Sequence, residues 1–245
     1  MKRFEGKVAL VTNGASAVGQ AIVKRLAEEG AVVMVADGDV KAAESVAKNV
    51  GAKHQAVHLN VSTVESWESA LAQTVSAFHR LDILVTIATA SYEKPTSIAD
   101  TSLQQFRSVT TPNIEGAFLG LRYGVVKMRE LGNGGAVVNV CSAYGTVGLA
   151  GQAAFNASGN GIRMMTKAAA LSCAESKDNI RINAVQTGVI AGAPEGTIVP
   201  STSSIPLARK GTTEDIAAAV AYLASDDAAY ITGYILPVDG GMLAA

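Results

Sequence analysis

The chain has 245 residues, of which 49% are hydrophobic and 17% charged, a makeup that fits one large globular domain and excludes a disordered polymer. Its 20 Lys and Arg balance 21 Asp and Glu to a net charge of −1, with no basic block, so the electrostatic footprint of a nucleic-acid binder is missing. Apolar stretches such as Ala31 to Ala36 and Ile83 to Val85 fall far short of the roughly 20 residues that cross a bilayer, and no membrane association is expected. The opening MKRFEGKVALVTNG enters a strand pattern by Val8 without an apolar leader, from which a cytoplasmic location is expected.

Seven apolar runs read as strands: Val8 to Val11, Val32 to Ala36, Ala56 to Leu59, Ile83 to Ile87, Val137 to Val140, Ile180 to Val185 and Ile235 to Val238. Helical periods separate them, and Val18, Ile22, Val23 and Leu26 illustrate the 3.6-residue spacing. Strands apolar on nearly every residue are buried on both faces, which predicts a seven-stranded parallel sheet with helices on both sides. The fold class is therefore α/β, a single doubly wound Rossmann-type domain over residues 1–245. Gly30 and Gly51 stand where left-handed helix stops belong. Two longer helices are expected at Leu103 to Leu131 and at Gln152 to Ser176, the second rich in Ala and Ser. Gly192 to Pro206 reads as a mobile surface loop.

Cys141 and Cys173 are too few for a disulfide framework and are expected to be buried reduced thiols. His54 and His58 have a metal-like spacing. Across a strand, though, they stand about 13 Å apart, so no metal site is expected. Trp67 and Phe78, spaced with Leu71 and Val75, read as core.

The first strand-to-helix turn, VTNGASAVG, is followed by an acidic residue after the second strand, by VNVCSAYG at the fifth and by RINAV at the sixth. With the tail IPLARKGTTEDIAAAVAYLASDDAAYITGYILPVDGG, these stretches resemble the short-chain dehydrogenase/reductase family over essentially the whole chain. The resemblance implies an active site of Ser, Tyr, Lys and Asn. In it the phenol is the acid/base, the Lys lowers its pKa and holds the cofactor ribose, the Ser binds the substrate carbonyl, and the Asn helps a relay water. The Ser matches Ser142 and the Asn matches Asn113 in PNIEGAF. The Tyr position falls on Phe155 and the Lys position on Gly159, so both proton-handling groups are absent.

The cofactor turn departs from the family as well. Its TGxxxGxG pattern reads Thr12, Asn13, three residues, Ala17, Val18 and Gly19, with Gly14 as a compensating hinge. A Cβ at position 17 is expected to intrude where the backbone approaches a pyrophosphate. The family's NNAG reads Thr86-Ile87-Ala88-Thr89, its PGxxxT reads Thr187 to Gly192, and Asn60 replaces an Asp beside the adenine. Asp37 matches the acid that accepts the ribose hydroxyls and favours NAD over NADP. Tyr144 lies two residues beyond Ser142 but has Gly148 where a helix-spaced Lys would stand, and it reads as a loop aromatic over an empty cleft. Lys167 reads as a surface residue.

These losses lead to the expectation of a catalytically inactive subunit, with Ser142, Asn113, Gly14, Gly19 and Asp37 vestigial and no cofactor held tightly by this chain. The pattern resembles non-catalytic subunits of heteromeric short-chain dehydrogenases, of the kind found in anaerobic toluene degradation. NAD would then sit in an active homologous subunit, an alcohol or hydroxyacyl-CoA dehydrogenase. A heterotetramer through the two long helices is expected. Two alternatives stay open: a self-sufficient NAD-dependent dehydrogenase with an atypical active site, and a ligand-binding or regulatory protein on the same fold.

Overall fold

The structure, a computed structural model, describes residues 2–88, 95–192 and 205–244. In chain order it runs β1 (Val8–Thr12), α1 (Ala17–Glu28), β2 (Val32–Asp37), α2 (Val40–Val50), β3 (Gln55–His58), α3 (Val64–Phe78), β4 (Ile83–Ile87), α4 (Leu103–Thr110), a π turn (Thr111–Glu115), α5 (Gly116–Leu131), β5 (Gly135–Ser142), α6 (Ala153–Glu175), β6 (Ile180–Thr187), α7 (Thr213–Ala224) and β7 (Ile235–Val238). The seven strands form one parallel sheet in the order β3-β2-β1-β4-β5-β6-β7. The predicted doubly wound Rossmann-type fold is the one found.

Burial explains the pattern of the strands. Every residue of β1 and β4 is buried, and alternate side chains enter opposite cores. Ala9 and Val11 join Ile22 and Leu26 of α1 with Val220 and Leu223 of α7. Leu10 joins Trp67 and Leu71 of α3 with Met128 of α5 and Cys173 of α6. Gly30 and Gly51 take positive φ, +107° and +131°, just beyond α1 and α2.

The predicted helix from Leu103 to Leu131 needs correction. It is α4 and α5 joined by a π turn, and the reason is Pro112, which has no N–H to continue the α-helical ladder. Asn113 sits on that turn and is buried. The expected helix at Gln152 to Ser176 is α6, with those two residues as its caps.

Both cysteines are free and buried, and burial pushes the Cys141 thiol up to about 12 and raises that of Cys173. His54 is buried just before β3, where its Nδ1 accepts the Val33 N–H at 3.1 Å; burial lowers its pKa, so it stays neutral. His58 ends β3. Among the described residues no cluster could hold a metal ion, and no helix is long and apolar enough to cross a membrane. Most of the loop predicted from Gly192 to Pro206 lies outside the described residues, as does Thr89.

Candidate active site

In a doubly wound sheet the site lies at the carboxyl ends of the strands, where strand order reverses, here between β1 and β4. Two side chains close that gap. Thr12 Oγ1 accepts the Ile87 N–H at 3.0 Å, and Asn13 Nδ2 donates to the Ile87 carbonyl at 2.6 Å. Asn13 also takes the left-handed conformation, φ 48°, at the position where the family has glycine. The turn is thereby held by a side chain that a glycine lacks.

Ser16 caps α1. Its Oγ accepts the Gly19 N–H at 3.1 Å and donates to the Asn13 carbonyl at 2.7 Å. The N–H groups of Ala17 and Val18 find no acceptor among the described residues, leaving an anion-binding helix end exposed at the mouth of the crevice. Asp37 ends β2 beside it: one carboxylate oxygen accepts the Ala15 N–H and the other the Asp39 N–H, both at 3.0 Å. Each oxygen keeps lone pairs for a further donor. These residues fit a dinucleotide: Asp37 would take its ribose hydroxyls and the start of α1 its phosphates. Ala17, expected to intrude on the phosphates, is exposed. Asn60 is occupied locally, its Oδ1 accepting the Ser62 N–H at 3.0 Å ahead of α3.

The reacting end is assembled from β5, the turn after it, and α6. Ser142 ends β5 in register with Thr187 of β6, and its Oγ accepts the Tyr144 N–H at 3.2 Å. Gln186 Nε2 donates both to the Ser142 carbonyl at 3.2 Å and to Thr146 Oγ1 at 2.8 Å, clamping the turn from β6. Phe155 lies in the first turn of α6 and Gly159 one turn on. A Cβ at Gly159 would fall 2.9 Å from both Cα and N of Gly145 and 3.1 Å from the Ser142 carbonyl oxygen. The structure thus sets Gly159 against the Ser142 carbonyl, with Phe155 one turn earlier on α6.

Tyr144 differs from its sequence reading as a loop aromatic over an empty cleft. It lies on a 3-10 turn, its ring 6.5 Å from that of Phe155 between centroids, and its hydroxyl is buried without a hydrogen-bond partner among the described residues. Burial raises its pKa above the ordinary 10. Neither this hydroxyl nor the Gln186 clamp is visible in the spacing of the sequence. A buried chain of side chains was also unforeseen: Thr86 donates to Asn139 Oδ1 at 2.5 Å, and Asn139 Nδ2 donates to Thr166 at 2.8 Å, tying β4, β5 and α6 together behind the site.

A family model described as enoyl-(acyl carrier protein) reductase matches residues 14–243. The chain is 35% identical to 2,5-dichloro-2,5-cyclohexadiene-1,4-diol dehydrogenase LinX of Sphingobium indicum, covering 98% of this chain and 97% of that protein. It is 33% identical to the NADP-dependent (R)-specific alcohol dehydrogenase of Lentilactobacillus kefiri, covering 99% and 98%. The cyclopentanol dehydrogenase of Comamonas testosteroni is 35% identical over the full length of both chains. Among solved structures, the 3-ketoacyl-(acyl-carrier-protein) reductase of Brucella melitensis complexed with NADH superposes with a TM-score of 0.90 at 32% identity, covering 98% and 99%. A short-chain type dehydrogenase/reductase from Mycobacterium marinum gives 0.93 at 26% identity, covering 99% and 97%.

These relatives overturn two expectations drawn from the sequence. Proteins similar end to end are named as working dehydrogenases and reductases, which contradicts the reading of this chain as an inactive subunit. A structural neighbour complexed with NADH and an NADP-dependent relative contradict the expectation that the chain holds no coenzyme tightly. The physical reason is local: the losses counted in the sequence leave Asp37 and the open end of α1 in place.

Proposed function

The chain belongs to the short-chain dehydrogenase/reductase family, and on that footing we propose that it is a self-sufficient nicotinamide-dependent oxidoreductase, interconverting a secondary alcohol and a ketone through an atypical active site. The observation that carries this is the retained part of the dinucleotide end, where the Asp37 carboxylate and the N–H groups of Ala17 and Val18, without acceptors among the described residues, share one crevice at the β1/β4 switch point. A nicotinamide coenzyme supplies the hydride chemistry when bound there. Asp37 binds ribose hydroxyls and, by charge, rejects a 2′-phosphate, which favours NAD. Ser142 offers its hydroxyl to a substrate carbonyl, and Gln186 holds the turn that carries it. Gly159 removes the cation that family members set beside the ribose, so chemistry here runs without it.

Calorimetric titration of the purified chain tests the reading. NADH is expected to bind at micromolar level and better than NADPH, while Asp37→Ala weakens NADH about tenfold or more and erases the preference. A chain that binds neither coenzyme below millimolar concentration overturns it.

A homologous subunit docked on the long helices remains part of the proposal. Phe118 and Val126 on α5 and Met164 and Leu171 on α6 are exposed, which supports a contact there. Ala169, by contrast, packs against the second core, so a charge at that position disrupts the chain itself. Leu171→Glu is the better probe, and it is expected to shift the sedimenting species to monomer without lowering the melting temperature.

A further inference from the structure

We propose that Tyr144 is the group that hands a proton to the substrate oxygen in ketone reduction at this site, an inference that rests on the coenzyme-dependent reading above. The turn Ser142 to Thr146 is fixed from three directions: Ser142 Oγ holds the Tyr144 N–H, Gln186 holds the Ser142 carbonyl and Thr146, and Gly145 lies against the backbone of Gly159. That fixing aims one side chain, Tyr144, whose ring rests near Phe155. Its hydroxyl is the group left over. It is buried with no partner among the described residues, and such a group costs stability until a ligand or an ordered water completes the bond. The position that carries the family's phenol holds Phe155, so this orphaned hydroxyl is the phenol that the described site retains.

Its surroundings set how the rate in each direction depends on pH. On its own turn stand Ser142 and Thr146, on α6 Phe155 and Gly159, and on β6 Gln186, none of which carries charge near neutrality. Arg163 of α6 acts on Cys141 instead. Among the described residues burial is what acts on Tyr144, and it favours the protonated phenol. In reduction, the Oη–H bond breaks and a new O–H bond forms on the substrate oxygen as the carbonyl carbon gains the coenzyme's hydride; the tyrosinate then regains a proton from water. Oxidation needs the tyrosinate first, a scarce species at pH 7. The aromatic pair Tyr144 and Phe155 favours a ketone with an apolar ring.

The test is steady-state kinetics of the purified chain with NADH and a panel of cyclic ketones headed by cyclopentanone, and in reverse with NAD and the matching alcohols. Reduction is expected to stay flat from pH 6 to 9, whereas oxidation climbs about tenfold per pH unit. Tyr144→Phe is expected to cut the reduction kcat about 100-fold or more with KM and NADH affinity unchanged. Ultraviolet titration is expected to show one phenol ionising above pH 10 that is missing from this variant. Reduction kept within threefold in Tyr144→Phe, or oxidation that plateaus near neutrality, overturns the inference. A wild-type chain that binds NADH but reduces no ketone of the panel also overturns it, while coenzyme binding stands; one that binds no NADH fails the functional reading itself.

Discussion

Restoring the family's missing pair, Phe155→Tyr together with Gly159→Lys, is expected to lower both stability and activity. The reason is steric and lies in the backbone. Any Cβ at position 159 falls 2.9 Å from Cα and N of Gly145, and a Cβ at Gly145 would in turn fall 2.3 Å from the Gly159 carbonyl carbon. Two glycines let α6 and the turn after β5 touch backbone to backbone, and no flexible side chain can yield to make room. Overpacking of this kind costs about 1–3 kcal/mol, which for a chain of this size lowers the melting temperature by about 3–10 °C. The element pushed aside is the turn that carries Ser142 and Tyr144, so reduction of a cyclic ketone should fall about tenfold or more instead of rising. Phe155→Tyr alone adds only a hydroxyl in the first turn of α6 and should melt within a degree or two of the parent. Scanning calorimetry and NADH oxidation on the three variants decide the matter. A double variant with an unchanged melting temperature and increased turnover would show that α6 has room for the lysine.

The sheet was legible in the sequence because burial on both faces leaves a mark on every residue of a strand. Ile83 to Ile87 and Val8 to Val11 needed no context to be read; β3 shifted by one residue to Gln55–His58, and β1, β2, β5 and β6 run one to two residues past the predicted ends. The π turn was hidden for the opposite reason. Its cause is one residue, Pro112, inside an apolar period that continues on both sides, and periodicity averages such a residue away. At the site, identities were legible and consequences were not. Phe155 and Gly159 could be read as losses of chemistry, but only the structure shows that Gly159 makes a close contact possible and that the Tyr144 hydroxyl is left without a partner among the described residues. A missing residue in a motif is a statement about that position; whether another group takes over its role depends on a turn clamped by Gln186, 44 residues further along the chain.

Gly19→Ala is expected to be the most damaging single methyl that can be added to the coenzyme turn. Its Cβ would stand 2.2 Å from the Asn13 carbonyl oxygen and 2.8 Å from the Cα of Gly14. That carbonyl cannot retreat, because it accepts both the Ser16 N–H at 3.1 Å and the Ser16 hydroxyl at 2.7 Å, while the Asn13 side chain is tied to Ile87 across the crevice. A loss of about 3 kcal/mol in urea unfolding is expected, along with about 100-fold weaker NADH binding as the start of α1 swings away from Asp37. Gly14→Ala is the control: its Cβ meets first the Cγ1 of the buried Val35, at 2.5 Å, and the Val11 carbonyl oxygen only at 3.2 Å, so the closest clash is with a side chain and not with backbone, and about 1–2 kcal/mol is expected. Equal effects at the two positions would refute the account. The contrast also explains which of the family's three turn glycines this chain has given up. Asn13 adopts the positive φ that the first glycine supplies, and Ala17 stands exposed to solvent. Gly19 alone has no space for a side chain, and Gly19 is retained; the turn has changed only where its geometry permits, as expected of a site that still has a nucleotide to hold.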